Sequence, residues 1–327
     1  MRTVAVTCIK NEEDIIEPVV RHTCRMADRM IVMDDGSHDK SLEILRQLVD
    51  EGLPLEVIQQ RSVGKNQRAH MTRLICREAG HRLQAEWIIA LDADEFLSSS
   101  PGMPLIGAGQ RTDACLLVPW RGYVTTPADD VQVRNPVVRI QHRRVRETFS
   151  TFKVIVPGNL ARQPNAHIEQ GNHWFWIGDA KADHVPHPHA SLAHFPIRSA
   201  AQYLKRVVAT QLAYLTMSDR RLEWGWSGHE PYEILKNQPE AFEAAVHAYS
   251  RRYGIPPRTV PAAPEIISDP VTYLGGPLRF TAPPETLMQA FAVIVRLAEE
   301  LALRHSSLAR TADDQIHRAH DVLQSGF

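Results

Sequence analysis

The feature that most constrains the fold of this chain is a short apolar run that ends abruptly in acids. Residues 87–91 read Trp-Ile-Ile-Ala-Leu, and Asp92, Ala93, Asp94 and Glu95 follow directly. A run of this length and composition is typical of a strand buried on both faces of a parallel sheet. Such strands carry functional side chains at their carboxyl ends. Because neighbouring carboxylates repel one another, the cluster indicates either a bound divalent cation or a solvated turn.

Strands and helices are predicted to alternate over the first hundred residues. The predicted strands are short, apolar and mostly β-branched, and lie at residues 4–9, 30–33, 55–58 and 87–91. Periodic apolar positions predict helices between them, and this order favours a mostly parallel sheet with right-handed crossovers. Polar clusters at 10–12, 34–37 and 92–94 follow three of the strands. Carboxyl ends of parallel strands share one edge, so we expect these clusters to converge on one crevice.

Composition excludes several classes of protein. Among 327 residues, 37 Lys and Arg nearly balance 38 Asp and Glu, so no strong positive charge indicates a nucleic-acid partner. The four cysteines lack CxxC spacing, which suits a reducing compartment. The first apolar run ends at Lys10, so we expect no signal peptide, and no apolar segment is long enough to be transmembrane. We therefore expect a cytoplasmic location.

The predicted crevice lacks the usual phosphate-binding loops. No G-x-G-x-x-G follows the first strand, which disfavours a dinucleotide fold, and Gly64-Lys65-Asn66 is not a P-loop. The phosphates of a bound nucleotide would need a metal, with Lys65 or Arg68 as further cations, although both side chains equally suit a solvated helix. Asp35 can accept a hydrogen bond from a base or ribose, but an Asp-Gly turn explains it as well.

These motifs together resemble the family 2 glycosyltransferases. The matching segments are residues 8–13, 31–39 and 87–97, and the Asp-Ala-Asp-Glu-Phe form at 92–96 is similar to one bacterial branch. The resemblance implies an α/β fold of the GT-A type, with a mostly parallel nucleotide-binding sheet flanked by helices and a mainly helical C-terminal region. It also implies an inverting, metal-dependent transfer from a nucleoside-diphosphate sugar, UDP-sugar favoured, to a carbohydrate or glycoconjugate acceptor.

The resemblance assigns roles to individual residues. It places Asp35 on the base and Asp94 on the metal and diphosphate. Asp92 falls near the ribose and the metal. The residues implied to flank the nucleotide are Cys8, Lys10 and Glu12.

A late histidine is implied to complete the metal site. His194 begins the segment His-Phe-Pro-Ile-Arg-Ser, which resembles the one that carries such a histidine in related enzymes. Ser199 and Gln202 then form a capping box at the start of a predicted helix. The expected metal ligands are Asp92, Asp94 and His194. Imidazole suits Mn²⁺ better than Mg²⁺, so we favour Mn²⁺, with Mg²⁺ as the alternative. The competing interpretation of His194 is a core histidine.

The middle of the chain is expected to hold the general base that an inverting transfer needs. Asp179 and Asp183 are the candidate bases. Further strands are predicted at 115–118, where Pro119 would break the strand, and at 137–140 and 152–156. The predicted domains are 1–198, divided into a nucleotide-sugar half (1–110) and an acceptor half (111–198), and a mainly helical region at 199–327.

Two other functions are alternatives to the glycosyltransferase hypothesis. A nucleotidyltransferase making nucleotide sugars would need a glycine-rich loop after the first strand, and residues 10–13 are not one. A non-catalytic nucleotide- or sugar-binding module is disfavoured by the intact Asp92 and Asp94. A donor hydrolysis assay would distinguish the module from an enzyme.

Overall fold

The computed structural model describes residues 2–62, 66–107, 110–147, 151–215, 226–255 and 263–303. The first strands are β1 (Thr3–Ile9), β2 (Arg29–Asp35), β3 (Leu55–Gln60), β4 (Trp87–Ala90), β5 (Glu95–Ser99), β6 (Cys115–Val124) and β7 (His142–Arg144). The later strands are β8 (Phe152–Pro157), β9 (Ala166–Ile168), β10 (Phe175–Ile177), β11 (Ala180–Lys181), β12 (His184–Pro186), β13 (Ala190–His194) and β14 (Ile266–Ser268).

Helices cover both faces of the sheet and dominate the last third of the described chain. They are α1 (Ile16–Thr23), α2 (Ser41–Asp50), α3 (Gln67–Thr72), α4 (Pro136–Arg139), α5 (Gly158–Ala161), α6 (Ala200–Leu215), α7 (Trp226–Asn237) and α8 (Pro239–Arg252). A π-helical segment, Arg73–Arg82, continues α3, and a further helix covers residues 287–303.

The first half of the sheet is parallel. β1 lies between β2 and β4, and β3 follows β2, with every pair parallel. The register pairs Cys8 of β1 with Met33 of β2, and Val6 of β1 with Ala90 of β4. The carboxyl ends of β1, β2 and β4 therefore reach the same edge. This arrangement confirms the predicted α/β fold with a mostly parallel half.

Alternating side chains bury both faces of these strands. Ala5 and Ile89 pack with α1 and α2 on one face, and Val6 and Ile88 pack with α3 and its π-helical continuation on the other. Two apolar layers therefore fix the strands, so the residues just beyond the strand ends have defined positions.

The second half extends the same sheet with antiparallel strands. β8 lies between β4 and β6 and is antiparallel to both, in agreement with the strand predicted at 152–156. β6 also pairs with β7, β12 and β13. β13 is antiparallel to β5, which places His194 opposite Glu95.

Two local predictions were wrong. Pro119 does not break β6: it lies between Leu117, where β6 pairs with β12, and Trp120, where pairing with β13 begins. A proline is tolerated at such a change of partner, because the sheet does not need a backbone N–H donor at this position. The strand predicted at 137–140 is instead the short helix α4. The Asn135 side chain accepts a hydrogen bond from the backbone N–H of Val137 at 3.1 Å, with proline at the first helical position.

The C-terminal helices pack against α6. The predicted cap is present, since the backbone N–H of Gln202 donates to the Ser199 hydroxyl at 3.1 Å. A separate apolar cluster joins Tyr203 of α6, Phe242 of α8 and Ala290 of the 287–303 helix. The domain boundaries stay a prediction. Of the helices that the structure describes, none combines the length and apolar character needed to cross a bilayer.

Candidate active site

One cavity lies where the polar clusters of the first strands converge. It has a volume of about 460 Å³. Its lining includes six of the residues that the sequence assigned to the site: Cys8, Lys10, Glu12, Asp35, Asp92 and Asp94. The expected convergence is therefore observed, and it follows from the shared carboxyl edge of β1, β2 and β4.

The two aspartates that end β2 differ in their surroundings. Asp34 is buried and its carboxylate accepts hydrogen bonds from the backbone and hydroxyl of Ser37, which shape the turn after the strand. Asp35 lines the cavity, and its Oδ1 accepts the backbone N–H of Ser62 at 2.8 Å. The turn thus depends on Asp34, and Asp35 is left facing the cavity.

The loop after β1 is tied to the same turn. Asn11 has a positive φ of 59°, a conformation that asparagine tolerates better than most residues. Its backbone N–H donates to the Ser37 hydroxyl at 2.9 Å, and its side-chain oxygen accepts the backbone N–H of His38 at 2.7 Å. These bonds position Lys10 and Glu12 on the cavity wall.

Glu12 belongs to a buried ionic cluster centred on Arg198. The Arg198 side chain is fully buried and forms ion pairs with Asp14 at 2.6 Å and with Glu12 at 2.5 Å. Burial raises the pKa of Glu12 to about 7, although the Arg198 charge opposes the rise. Burial also opposes ionisation of Asp14, but the charge and hydrogen bond of Arg198, together with the charge of Lys205, hold the Asp14 pKa below its usual value. The cluster joins the segment before α6 to the loop after β1.

Asp92 is held by groups of the chain itself. Its Oδ1 accepts hydrogen bonds from Gln67 Nε2 at 2.9 Å and Asn172 Nδ2 at 3.0 Å, and its Oδ2 pairs with Lys153. Lys153 also lies 3.1 Å from Glu95 Oε1. Burial opposes the charge of Lys153, but the two carboxylates outweigh it and raise its pKa.

Glu95 is buried beneath this pair. It is 0% exposed, and its Oε2 accepts the backbone N–H of Asp92 at 2.8 Å. Burial raises the pKa of Glu95 to about 8, against the opposing charge of Lys153. Sequence reasoning missed Lys153, although a lysine inside the apolar run 152–156 was a usable signal, because a buried lysine requires a partner.

Asp94 lies between a histidine and an arginine. Its Oδ1 is 3.2 Å from His194 Nε2, and its Oδ2 accepts a hydrogen bond from Arg206 Nη1 at 2.9 Å. Burial opposes ionisation of Asp94, but its hydrogen bond with His194 and the charge of Arg206 hold its pKa well below the usual range. Arg206 was also missed. Its signal was the adjacent Lys205-Arg206 pair in the otherwise apolar first turns of α6.

His194 is buried behind Asp94 rather than exposed on the cavity wall. It is 3% exposed and its ring centroid is 4.1 Å from that of Trp120. Burial lowers the pKa of His194 despite the nearby Asp94. Its Nδ1 is buried, and the residues that the structure describes offer it no hydrogen-bond partner. A neutral histidine in direct contact with an ionised carboxylate can serve as a metal ligand.

The residues present fit a divalent cation at Asp94 and His194. Asp94 Oδ1 and His194 Nε2 are 3.2 Å apart and share a hydrogen bond, and two ligands at about 2.1 Å from one ion lie at a similar spacing of about 3 Å, so a cation would take the place of the shared proton. Asp92 does not join them, because its oxygens already bind donors of the chain. Within the described ranges, no three His, Cys, Asp or Glu side chains form a group that could hold a metal. The expected three-ligand set thus reduces to two protein donors.

Three of the predicted site residues are exposed and do not line the cavity. Asp179 is exposed in the turn between β10 and β11, and Asp183 is exposed just before β12, so neither reaches the cavity wall. Arg68 is exposed on α3, where its neighbour Gln67 lines the cavity instead. Lys65 lies outside the described residues. The cations that do line the cavity are Lys10, Lys205 and Arg206.

Comparison with known proteins relates the first half of the chain to a known family. Residues 4–159 match the family model described as Glycosyl transferase family 2. A search of curated proteins found no match.

Several solved structures are similar over most of the chain, at low identity. The S. aureus TarS fragment 1–349 with UDP is 14% identical, covers 67% of each chain and has a TM-score of 0.38. The mannosyltransferase PcManGT from Pyrobaculum calidifontis with GDP-Man and Mn²⁺ is 13% identical, covering 76% of this chain and 69% of its own, at a TM-score of 0.35. GalNAc-T7 with UDP, GalNAc and Mn²⁺ is 11% identical, covering 75% and 58%, at 0.36. Similarity at this level says nothing about the substrate or metal of this chain.

Proposed function

Since residues 4–159 belong to glycosyl transferase family 2, we propose that this glycosyltransferase binds a nucleoside-diphosphate sugar, UDP-sugar favoured, in the 460 Å³ cavity. It transfers the sugar, with inversion, to a hydroxyl of a carbohydrate or glycoconjugate acceptor. The observation that carries the proposal is the convergence of Asp35, Asp92 and Asp94 with Lys205 and Arg206 on this one cavity. A cytoplasmic location remains a prediction.

The lining of the cavity offers groups for both parts of a nucleotide. Asp35 is fixed by the Ser62 backbone and offers carboxylate oxygens to the N–H or hydroxyl groups of a base or ribose. Lys10, Lys205 and Arg206 supply positive charge for the diphosphate. Asp92 lines the same cavity, and the one acceptor position that Lys153, Gln67 and Asn172 leave free can take a hydrogen bond from a sugar hydroxyl.

The proposed metal is Mn²⁺, with Mg²⁺ as the alternative, held by Asp94 and His194. When bound, such an ion stabilises the negative charge of the departing diphosphate. Arg206 can share this task, because its guanidinium already lies 2.9 Å from Asp94 and carries a permanent charge. Burial keeps His194 neutral, so its Nε2 can bind a cation when the proton it shares with Asp94 leaves. Asp179 and Asp183 do not suit the role of general base in this proposal, since both lie at the surface and neither lines the cavity.

The test is the binding of UDP to the Asp35→Ala variant, measured by thermal shift with and without Mn²⁺. Loss of one buried hydrogen bond to the nucleotide should weaken binding by about 1–3 kcal/mol, a factor of roughly 5 to 150. The matched control is Asp50→Ala, an exposed aspartate at the end of α2. Unchanged UDP affinity in Asp35→Ala, or an equal loss in the control, would contradict the donor site. Hydrolysis of a UDP-sugar by the wild type would then separate an enzyme from a binding module.

A further inference from the structure

A second cavity lies among the C-terminal helices, next to the donor cavity. It has a volume of about 420 Å³, within the range of small-molecule pockets. Its wall includes Tyr203 from α6, Glu230 from α7 and Tyr249 from α8, and we call it the tyrosine cavity. Tyr253, just after α8, lines both cavities.

The shared wall is close to Asp94. Arg206 donates one hydrogen bond to Asp94 Oδ2 at 2.9 Å and another to the Tyr253 hydroxyl at 2.7 Å. His194, which contacts Asp94, has its ring centroid 5.6 Å from that of Tyr253. The tyrosine cavity therefore adjoins the part of the donor cavity proposed to hold the diphosphate and the transferred sugar. An acceptor must reach this part of the site.

The chemistry of the wall suits a neutral sugar ring. The rings of Tyr203 and Tyr249 are 5.9 Å apart and tilted by 48°. Tyr203 is buried and stacks on Phe242, so the half-buried Tyr249 offers the apolar face for the C–H face of a pyranose. The Tyr249 hydroxyl is buried and lacks a hydrogen-bond partner among the residues that the structure covers. Leaving such a group unpaired costs free energy, which a ligand hydroxyl would recover. Glu230 is exposed at the rim, where its carboxylate can accept hydroxyl protons, and Arg252 also lines the cavity, so the wall carries one charge of each sign and no net positive charge that would favour an anionic ligand.

We propose that the tyrosine cavity is the acceptor subsite and that it takes an uncharged sugar unit of a glycoside. This proposal rests on the proposed function, because it assumes that the adjoining cavity takes the donor. It narrows the acceptor to a molecule whose terminal unit is a neutral hexose. The Tyr249 hydroxyl and the Glu230 carboxylate bind its hydroxyl groups.

The experiment is saturation-transfer NMR on the full chain in the presence of UDP. The probes are the methyl glycosides of glucose, mannose and galactose, with methyl glucuronide as an anionic counterpart. We expect at least one neutral glycoside to bind, and Tyr249→Phe and Glu230→Gln each to weaken it by about 2- to 10-fold. UDP affinity should stay unchanged in both variants. The melting temperature of each variant reports whether it is folded, and Tyr249→Phe removes only one oxygen.

Two neighbours on α7 supply matched controls. Tyr232 packs under Lys236, and Glu233 pairs with Lys236 at 3.3 Å; neither lines the cavity. Tyr232→Phe and Glu233→Gln should therefore bind the glycoside as the wild type does.

Three results would overturn the acceptor subsite: no neutral glycoside binds while UDP still does, only the glucuronide binds, or the cavity variants match their controls. A failure of UDP itself to bind would instead refute the donor site. The two proposals therefore fail in different measurements.

Discussion

Removal of the buried Arg198 charge tests whether the ionic cluster holds the segment before α6 to the loop after β1. Arg198→Leu keeps much of the apolar stem but leaves Asp14 and Glu12 buried without their cation. Breaking a buried ion pair from one side costs about 3–5 kcal/mol. At roughly 2–4 °C per kcal/mol for a chain of this class, the melting temperature should fall by about 10 °C at pH 8.

The loss should depend on pH in a direction that the structure specifies. In the variant, Asp14 can escape its buried charge by taking up a proton. Starting from an ordinary pKa near 3.9, that protonation costs about 1.5 kcal/mol at pH 5 but about 5.6 kcal/mol at pH 8. Glu12, whose pKa is already about 7, is protonated at pH 5 in the wild type. The variant should therefore lose about half as much stability at pH 5 as at pH 8, or less.

Differential scanning fluorimetry at pH 5 and pH 8 measures both numbers. Arg111→Leu is the control, because Arg111 pairs with Asp113 at the surface, where the two side chains are 57% and 69% exposed. Exposed pairs of this kind contribute little, so the control should melt with the wild type at both pH values. An equal loss at the two pH values, or a fall below about 2 °C at pH 8, would refute the reasoning.

Two further predictions concern His194 and Glu285. His194→Ala should lower Mn²⁺ affinity by about 10-fold or more. Because burial lowers the His194 pKa, His194 should not become protonated between pH 7 and 6, and wild-type Mn²⁺ affinity should not fall on that account. Calorimetry that shows unchanged Mn²⁺ affinity in a destabilised variant would make His194 a core residue only. Burial and the nearby Glu13 raise the pKa of Glu285 to about 8, so its stabilisation is complete below its unfolded pKa, near 4.5, and is lost as the pH rises through 8. This loss falls between the two pKa values, so Glu285→Gln should remove it, up to about 1.4 kcal/mol per pH unit, from melting curves recorded between pH 5 and 8; parallel curves for variant and wild type would contradict it.

The parallel half of the fold was predictable because its rules are local. Each strand of the first hundred residues is an apolar run that ends in polar residues, and the parallel order then brings Asp35, Asp92 and Asp94 to one edge. Where local signals compete, the prediction failed. At residues 137–140 the β-branched composition favoured a strand, but the capping bond from Asn135 and the proline after it favoured a helix.

The partners of the acids could not be predicted from pattern alone. Lys153 and Arg206 are 61 and 112 residues away from the aspartates they contact, and no periodicity relates them. A lysine in an apolar strand shows that a partner must exist without identifying it. For the same reason Asp179 and Asp183 were chosen by position along the chain, and the fold leaves both at the surface.

The place of β8 in the sheet has a consequence for how the chain is made. During synthesis β4 emerges first and β6 second, yet the strand that lies between them, β8, begins at Phe152 and is made last. Until then one edge of β4, with its apolar run, has no partner. An unpaired apolar edge is a template for pairing with other chains. A nascent chain that stalls near residue 110 would therefore be more prone to aggregation than one stalled after residue 157.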